Sequence, residues 1–472
     1  MFQPIELPLW SLILVLAFAA VTFASHFLFP SVRWFFRRRM ERAVARLNER
    51  LERPIEPFRI MRRQDQVTRL IYDAQVMEAV RAYADDEGVP PNVAFEKARS
   101  YAREIVPGFS TATYFGFAIK LAQRISQGLY HVRLGGADQP ALAQIDRRAA
   151  VVFVMNHRSN MDYVLITWLA SKHSALSYAV GEWARVWPLK ALIRAMGAYF
   201  IRRRYSNPLY RAILARYVQM SVEQGTTQAI FPEGGLSLNG AVGNARIGLL
   251  HYIVRGFNPN AGQDVVFVPV ALNYDRVLED RVLITAGMQG IRRFPIRAKV
   301  VLGFTLRILW QKLRKRFTPF GVAAVCYGAP LSLRAYFKDH PGVGTEALAA
   351  ELMERIRAAV PILPLPLAAA ALVRQEGLCT RDQLAEEAAR LCDALEARRA
   401  WRHFDGTPRE AVEAGLAGLA LRGIVTLKGD RVQISPGEEG VLGYYAASVL
   451  QRLSAPQGVA PQDHMQLDKP GA

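Results

Sequence analysis

The run Val151-Val152-Phe153-Val154, continued after Met155 by Asn156-His157-Arg158-Ser159-Asn160-Met161-Asp162, decides how this chain is read. Four consecutive β-branched or aromatic residues predict a short strand buried on both faces. From Asp162 to about Ser171 the pattern predicts a helix. A strand end, a loop and a helix start therefore follow one another, with a histidine directly after the strand and an aspartate five residues later. Ala229-Ile230-Phe231, Val265-Val266-Phe267-Val268-Pro269-Val270 and Gly321-Val322-Ala323-Ala324-Val325-Cys326-Tyr327 predict further buried strands, with helical stretches between them. Strands that alternate with helices give an α/β domain from about 145 to 338, a central mixed sheet flanked by helices.

The loop carries the sharpest chemistry. A neutral imidazole, with a reference pKa of about 6.5, takes up a proton near physiological pH. A carboxylate on its other nitrogen fixes the tautomer and stabilises the imidazolium. His157 and Asp162 are thus a candidate catalytic pair, although Asp162 also suits a plain helix cap. No close second or third ligand gives a metal-binding spacing, so no metal is expected. Three later blocks add polar groups. Gly197-Ala198-Tyr199-Phe200-Ile201-Arg202-Arg203-Arg204 brings guanidinium groups suited to phosphate, or a solvated basic cluster. Phe231-Pro232-Glu233-Gly234-Gly235-Leu236-Ser237 offers a carboxylate, a hydroxyl and two glycines, or a strand-to-turn connection. Val268-Pro269-Val270-Ala271-Leu272-Asn273-Tyr274-Asp275-Arg276 ends a buried strand, either as packing or as substrate contact.

Outward from this core, Leu9 to Phe29 is an uncharged run whose clearly polar members are Ser11, Thr22, Ser25 and His26. At ~1.5 Å per residue it spans a hydrocarbon core of ~30 Å. Arg33, Arg37, Arg38, Arg39, Arg42 and Arg46 follow it, which places the remainder of the chain on the cytoplasmic side. A terminal helix that packs on the protein or lies flat in the interface is the alternative. The 60 Lys and Arg against 41 Asp and Glu give a net charge of +19. From Asp339 onward there are 14 basic and 18 acidic residues, so the positive charge belongs to the part before it and implies an anionic partner there. Between Arg281 and Lys338 lie 12 basic residues and no acid, and Phe304 to Arg316 mixes bulky apolar with basic side chains. Such a stretch suits an anionic lipid surface or a solvated helix.

The expected division is an anchor with its basic flank (1–39), a helical region (40–144) broken at Gly88-Val89-Pro90-Pro91, the α/β domain (145–338), a helical C-terminal region (339–455) and a disordered tail (456–472). Pro361 to Pro366 marks a linker or turn, and Ile424 to Ile434 a hairpin, so the C-terminal region is read as winged-helix-like. Its net negative charge argues against nucleic-acid binding. With 51% hydrophobic and 21% charged residues the chain is too apolar for disorder. Three cysteines exclude a disulfide scaffold.

In order, the blocks at Asn156–Tyr163, Gly197–Arg203, Glu233–Ser237 and Pro269 resemble the glycerolipid acyltransferase superfamily, in the branch of glycerol-3-phosphate and dihydroxyacetone-phosphate acyltransferases. Ala245 to Leu250 and Tyr327 to Leu333 also look like segments of that family. The resemblance implies His157 as general base and Asp162 as its orienting partner. It implies Arg203, with Arg202 beside it, for acceptor phosphate, and Glu233, Gly234, Ser237, Arg246 and Pro269 as substrate-binding positions. The family's third block reads Glu-Gly-x-Arg-Ser, whereas Leu236 stands here at the Arg position. Either Arg203, Arg202 or Arg246 supplies that contact, or the acceptor headgroup differs. The implied reaction moves an acyl group from acyl-CoA or acyl-carrier protein to the sn-1 hydroxyl of glycerol 3-phosphate, at the cytoplasmic face of the inner membrane and without a cofactor. Acylation of lysophosphatidate, a catalytically silent homologue and a membrane-tethered nucleic-acid binder are the competing readings.

Overall fold

A computed structural model describes residues 61–454 apart from 136–138, 170, 172–174, 182–188, 203–206, 261, 291–302, 304–306, 309 and 376–377, together with 16, 38, 42, 44–49, 51, 53 and 55. The chain divides into two units, Met1–Ile55 and Glu56–Ala472. In the first, residues 44–48 are helical, and the Asn48 side chain accepts the Ile55 backbone N–H at 2.9 Å. The expected anchor at Leu9–Phe29 lies outside the described residues except for Leu16, as does the tail from 455. Among the described residues no helix is long and apolar enough to cross a membrane.

The second unit opens with α1 (Arg63–Ile71), α2 (Ala74–Glu87) and α3 (Pro91–Ile105). The break at Gly88 to Pro91 falls where expected: Gly88, at φ +61°, ends α2, and Pro91 occupies the first turn of α3, where its missing N–H has no helical partner to lose. A π-helical segment, Ala112–Ala118, runs into α4 (Ile119–Leu129), followed by β1 (His131–Gly135) and α5 (Gln139–Gln144). Then come β2 (Ala150–Met155), α6 (Met161–Leu169), β3 (Ser177–Val180), α7 (Leu189–Ala195), β4 (Tyr199–Phe200), α8 (Pro208–Glu223), β5 (Gln228–Ile230), α9 (Gly248–Arg255), β6 (Val265–Tyr274) and α10 (Asp280–Met288). The main sheet closes with β7 (Val322–Tyr327) and β8 (Leu331–Ser332), and α11 (Leu333–Asp339) and α12 (Thr345–Ala359) follow.

These strands form one mixed sheet in the order β1-β7-β6-β2-β5-β3-β4, with β8 also beside β6. From β6 across to β4 every pairing is parallel, while β7 and β8 run antiparallel to β6. The carboxyl ends of β2, β3, β4, β5 and β6 therefore share one edge, where open α/β sheets place their sites. Strand β2 is buried throughout and alternates its side chains between two cores. Val152 and Val154 pack with Leu70, Ile105, Leu214 and Leu352, whereas Val151, Phe153 and Met155 belong with Leu165, Leu367, Leu391 and Tyr445.

The C-terminal region contains α13 (Pro364–Arg374), β9 (Cys379–Thr380), α14 (Arg381–Glu396), α15 (Pro408–Leu421), β10 (Val425–Lys428), β11 (Arg431–Ile434) and α16 (Glu439–Ser454). The hairpin β10–β11 and the short β9 make a small antiparallel sheet. Helix α13 is buried at every position from Leu365 to Leu372, so it serves as the axis around which the other helices pack.

Three features bear on the expected division. The mostly helical region 40–144 also holds β1, which pairs with β7 at one edge of the main sheet. Its sequence mixes His131 and Arg133 with Val132 and Leu134, as an edge strand with a wet face does. Helix α12 lies beyond 338, yet Leu348, Leu352 and Ile356 pack into the core beneath β2 and β6. Pro361 to Pro366 is no linker: Ile362 and Leu363 are fully buried, and Pro364 occupies the first turn of α13.

Candidate active site

Every residue from Asn156 to Asp162 is tied down by a hydrogen bond that involves a side chain, to another element or within the loop. Strand β2 ends at Met155, but Asn156 continues its pairing with β6 through its amide: Nδ2 donates to the Leu272 carbonyl at 2.9 Å and Oδ1 accepts from the Leu272 N–H at 2.7 Å. The chain then turns, and His157 Nδ1 meets Asp162 Oδ2 at 2.8 Å. The same oxygen accepts the backbone N–H groups of Arg158, at 2.7 Å, and Ser159, at 3.0 Å. Asp162 is fully buried in the first turn of α6, so it ties the preceding loop to the helix and orients the imidazole at once. Its other oxygen accepts from the Tyr274 hydroxyl at 2.6 Å. Burial and the adjacent Asp162 charge push the Tyr274 phenol well above its ordinary range, so it stays protonated and donating.

Nδ1 is committed to Asp162, so any further partner of the ring meets Nε2. The ring lies against Phe231, with centroids 4.3 Å apart, and edge-on to Tyr163 at 5.3 Å, so two aromatic side chains restrain its tilt.

The loop after β5 holds the backbone of the same residue. Glu233 Oε1 accepts the His157 N–H at 2.8 Å, Oε2 accepts the Gly243 N–H at 3.0 Å, and the Ser237 N–H donates to the His157 carbonyl at 2.8 Å. Burial pushes the Glu233 carboxyl up, and the two N–H bonds oppose that. Gly234 sits at φ +68°, and a Cβ there would lie 2.6 Å from Arg246 Cδ. Arg246 is exposed above this turn, and its guanidinium makes no hydrogen bond or ion pair among the described residues.

A third bracket comes from the loop between β6 and α10. Glu279 accepts from Ser159 Oγ at 2.8 Å and from Asn160 Nδ2 at 3.0 Å. Burial raises its pKa, while those hydrogen bonds lower it.

Of the positions expected from sequence, the structure gathers His157, Asp162, Glu233, Gly234, Ser237 and Arg246 around this one loop. Glu233 and Ser237 hold the backbone of His157. Arg202 follows β4, three strands from β2, or about 14 Å at ~4.8 Å per strand. Its guanidinium takes Glu104 with two bonds, one of them 2.8 Å from Nε to Oε1, so its charge is already answered. Arg203 lies outside the described residues. Pro269 is buried within β6 opposite Val154, at the step where the strand's other neighbour changes from β8 to β7. A residue without an N–H fits that gap in the ladder, and it is a core position.

Tyr274 and Glu279 were not singled out by sequence reasoning. The only signal for Tyr274 was its place at the end of a buried strand, and for Glu279 there was none. Cys326 Sγ lies 3.0 Å from His403 Nε2, but burial pushes the thiol up to about 12, which leaves no thiolate to act as a nucleophile. Among the described residues no group of three or more His, Cys, Asp or Glu is placed to hold a metal ion.

Residues 140–273 match the acyltransferase family model, and residues 306–456 match the model for the glycerol-3-phosphate acyltransferase C-terminal region. The chain is 28% identical over 345 residues to the glycerol-3-phosphate acyltransferase of Aeromonas hydrophila subsp. hydrophila, covering 68% of this chain and 41% of that protein. It is 26% identical over 350 residues to the protein of the same name from Pseudomonas syringae pv. syringae, covering 69% and 40%. The chain thus spans about two fifths of the length of these relatives. The solved structure of the 1-acyl-sn-glycerophosphate acyltransferase of Thermotoga maritima aligns with 50% of this chain and 79% of that one, at 20% identity and a TM-score of 0.29. The superfamily that the four sequence blocks resemble is the one whose models match.

Proposed function

We propose that this chain, which carries an acyltransferase domain ahead of a C-terminal region of the glycerol-3-phosphate acyltransferase kind, transfers a fatty acyl group from a thioester to the sn-1 hydroxyl of glycerol 3-phosphate. The observation that carries this reading is the buried His157–Asp162 pair at the carboxyl edge of the sheet, with Nε2 left for the hydroxyl. An alcohol is a poor nucleophile until its proton is removed. His157 Nε2 takes that proton as the oxygen attacks the thioester carbonyl, and Asp162 stabilises the imidazolium. The tetrahedral intermediate collapses, the C–S bond breaks, and the proton held on Nε2 leaves with the thiolate. The products are the acyl ester and a free thiol, with no covalent enzyme intermediate and no cofactor besides the donor, acyl-CoA or acyl-carrier protein.

Arg246 is the guanidinium we assign to the acceptor phosphate. It is exposed beside the Glu233-Gly234 turn and unpaired among the described residues, whereas Arg202 is engaged by Glu104. Docking to an anionic inner-membrane surface, with the site on the cytoplasmic side, fits the described part of the basic segment. Trp310 is 50% and Leu313 75% exposed there, and Arg314 stacks 3.9 Å over the Trp310 ring.

The test supplies the purified chain in anionic vesicles with labelled glycerol 3-phosphate or lysophosphatidate and acyl-CoA. Acylation of glycerol 3-phosphate that disappears in His157→Ala is expected. Product from the lyso-lipid alone would replace this acceptor with the other, and equal turnover in His157→Ala would remove the mechanism.

A further inference from the structure

Helix α16 belongs to the C-terminal region, yet two consecutive residues on it reach both loops that bracket His157. Tyr444 lies face-on to Arg158, with the guanidinium carbon 5.0 Å from the ring centroid. Arg158 is 2% exposed, and its Nη1 bonds to the Gly240 carbonyl. Its Nε and Nη2 are buried without hydrogen-bond partners, and no carboxylate is within ion-pair distance among the described residues. The Tyr444 ring therefore faces a desolvated charge within the catalytic loop, which the Gly240 carbonyl and the charge of Glu233 also answer, since the face of an aromatic ring attracts a cation. Tyr445, the next residue, donates to Asp280 Oδ2 at 2.7 Å and accepts the Val277 N–H at 3.0 Å. That fixes the loop carrying Glu279, which holds Ser159 and Asn160.

The loop after β5 is fastened to the same helix. Gly240, at φ +82°, runs so close to α16 that a Cβ would stand 1.8 Å from the Tyr444 carbonyl oxygen. Gln451 Oε1 accepts the Val242 N–H at 2.8 Å. On either side of these anchor points stand Ser237 and Gly243, and through them and Glu233 the loop grips the backbone N–H and carbonyl of His157.

We propose that α16 is the positioning element of the catalytic loop, with Tyr444 and Gln451 its principal contacts, so that the acyltransferase domain depends on the C-terminal region for the placement of His157. The inference rests on the acyl-transfer reading above only for its kinetic readout. The Tyr444 hydroxyl is itself buried and has no hydrogen-bond partner among the described residues, so the ring does the work and the oxygen does none.

The experiment compares the full chain with Tyr444→Phe, Tyr444→Leu and Gln451→Ala. It measures kcat, both KM values and the rate at which diethyl pyrocarbonate modifies His157, followed by peptide mass spectrometry. Tyr444→Phe is expected within about twofold of wild type in every measure. Tyr444→Leu and Gln451→Ala are expected to lower kcat by about 10- to 100-fold with both KM values nearly unchanged, since a displacement near 1 Å is worth about 10²-fold. His157 modification in Tyr444→Leu is expected to accelerate severalfold. Unchanged kcat and unchanged His157 reactivity in Tyr444→Leu and Gln451→Ala would overturn the proposal, and so would a loss in Tyr444→Phe as large as in Tyr444→Leu. If Tyr444→Leu does not fold, Gln451→Ala decides, because it deletes one acceptor from a partly exposed side chain. A wild-type chain without transferase activity would refute the functional reading, while the His157 modification rates would still decide the role of α16.

Discussion

Asp162→Asn tests the site most directly, because it removes a charge while leaving the shape. In the native loop Asp162 Oδ2 accepts from His157 Nδ1 and from the Arg158 and Ser159 N–H groups, and Oδ1 accepts from Tyr274. An asparagine whose Oδ1 takes the place of Oδ2 keeps the three N–H bonds. Its amide then faces the Tyr274 oxygen, which accepts instead of donating. The loop is retained, and what disappears is the carboxylate's attraction for the imidazolium formed when His157 takes the hydroxyl proton. With the nitrogen and oxygen 2.8 Å apart, the charge centres lie roughly 4 Å apart, which at an effective dielectric of about 20 corresponds to about 4 kcal/mol. At 1.36 kcal/mol per decade that is a fall of about 10³-fold in kcat. Both KM values are expected to remain within a few-fold of wild type, since no ligand contact is touched. Initial rates with labelled glycerol 3-phosphate at saturating acyl-CoA measure this. A variant that retains more than a tenth of wild-type kcat would show that Asp162 only holds the loop backbone and that His157 does not pass through a charged state.

Tyr274→Phe leaves Asp162 Oδ1 buried without a donor, which is expected to lower stability by about 1–3 kcal/mol in a denaturant titration and to reduce kcat less than Asp162→Asn does. Arg246→Ala should raise the glycerol 3-phosphate KM about tenfold and leave the acyl-CoA KM alone, whereas Arg202→Ala, which breaks the Glu104 pair, should lower the melting temperature without that KM change. Burial pushes Asp275 from its ordinary 3.8 up to about 6, against N–H bonds from Val322 and Leu365. A raised folded-state value means that the native chain holds this proton more tightly than the unfolded chain. The stabilisation is thus fully present below the unfolded pKa and is lost as pH rises through 6. Melting temperatures from pH 4 to pH 8 should therefore decline in wild type relative to Asp275→Asn, and parallel curves would refute the assignment.

The parts of this molecule that could be read in its sequence share a physical cause. Val151 to Val154 and Val265 to Val270 are buried on both faces, so they are apolar without interruption and declare themselves as central strands. Tyr199-Phe200 and Ser177–Val180 were invisible because two to four residues give no period to detect, and only the pairing partner makes them strands. Within the site, His157 and Asp162 stand five residues apart, so their chemistry is local. Tyr274 and Glu279 lie 112 and more residues downstream and become neighbours of the loop only because β6 runs beside β2. Arg202 shows the same limit: its residue type suits phosphate, and the side chain bonded to it, Glu104, lies on α3, which no local pattern connects to it.

The departure at Leu236 now has a structural setting. The resemblance implies an arginine there, on the turn that carries Glu233, and a cation so placed would face the acceptor phosphate. In this chain Leu236 is half-buried and packs against the core that also contains Met155, Leu165 and Tyr445. Ten residues later Arg246 donates its backbone N–H to the Pro232 carbonyl at 2.7 Å, so the chain returns to the base of the same turn, and its side chain crosses above Gly234. The turn thus recovers an exposed positive charge from a different sequence position, and only Gly234, lacking a Cβ, leaves room for it. Leu236 thus seals the core beneath the turn, and Arg246 supplies an exposed charge above it.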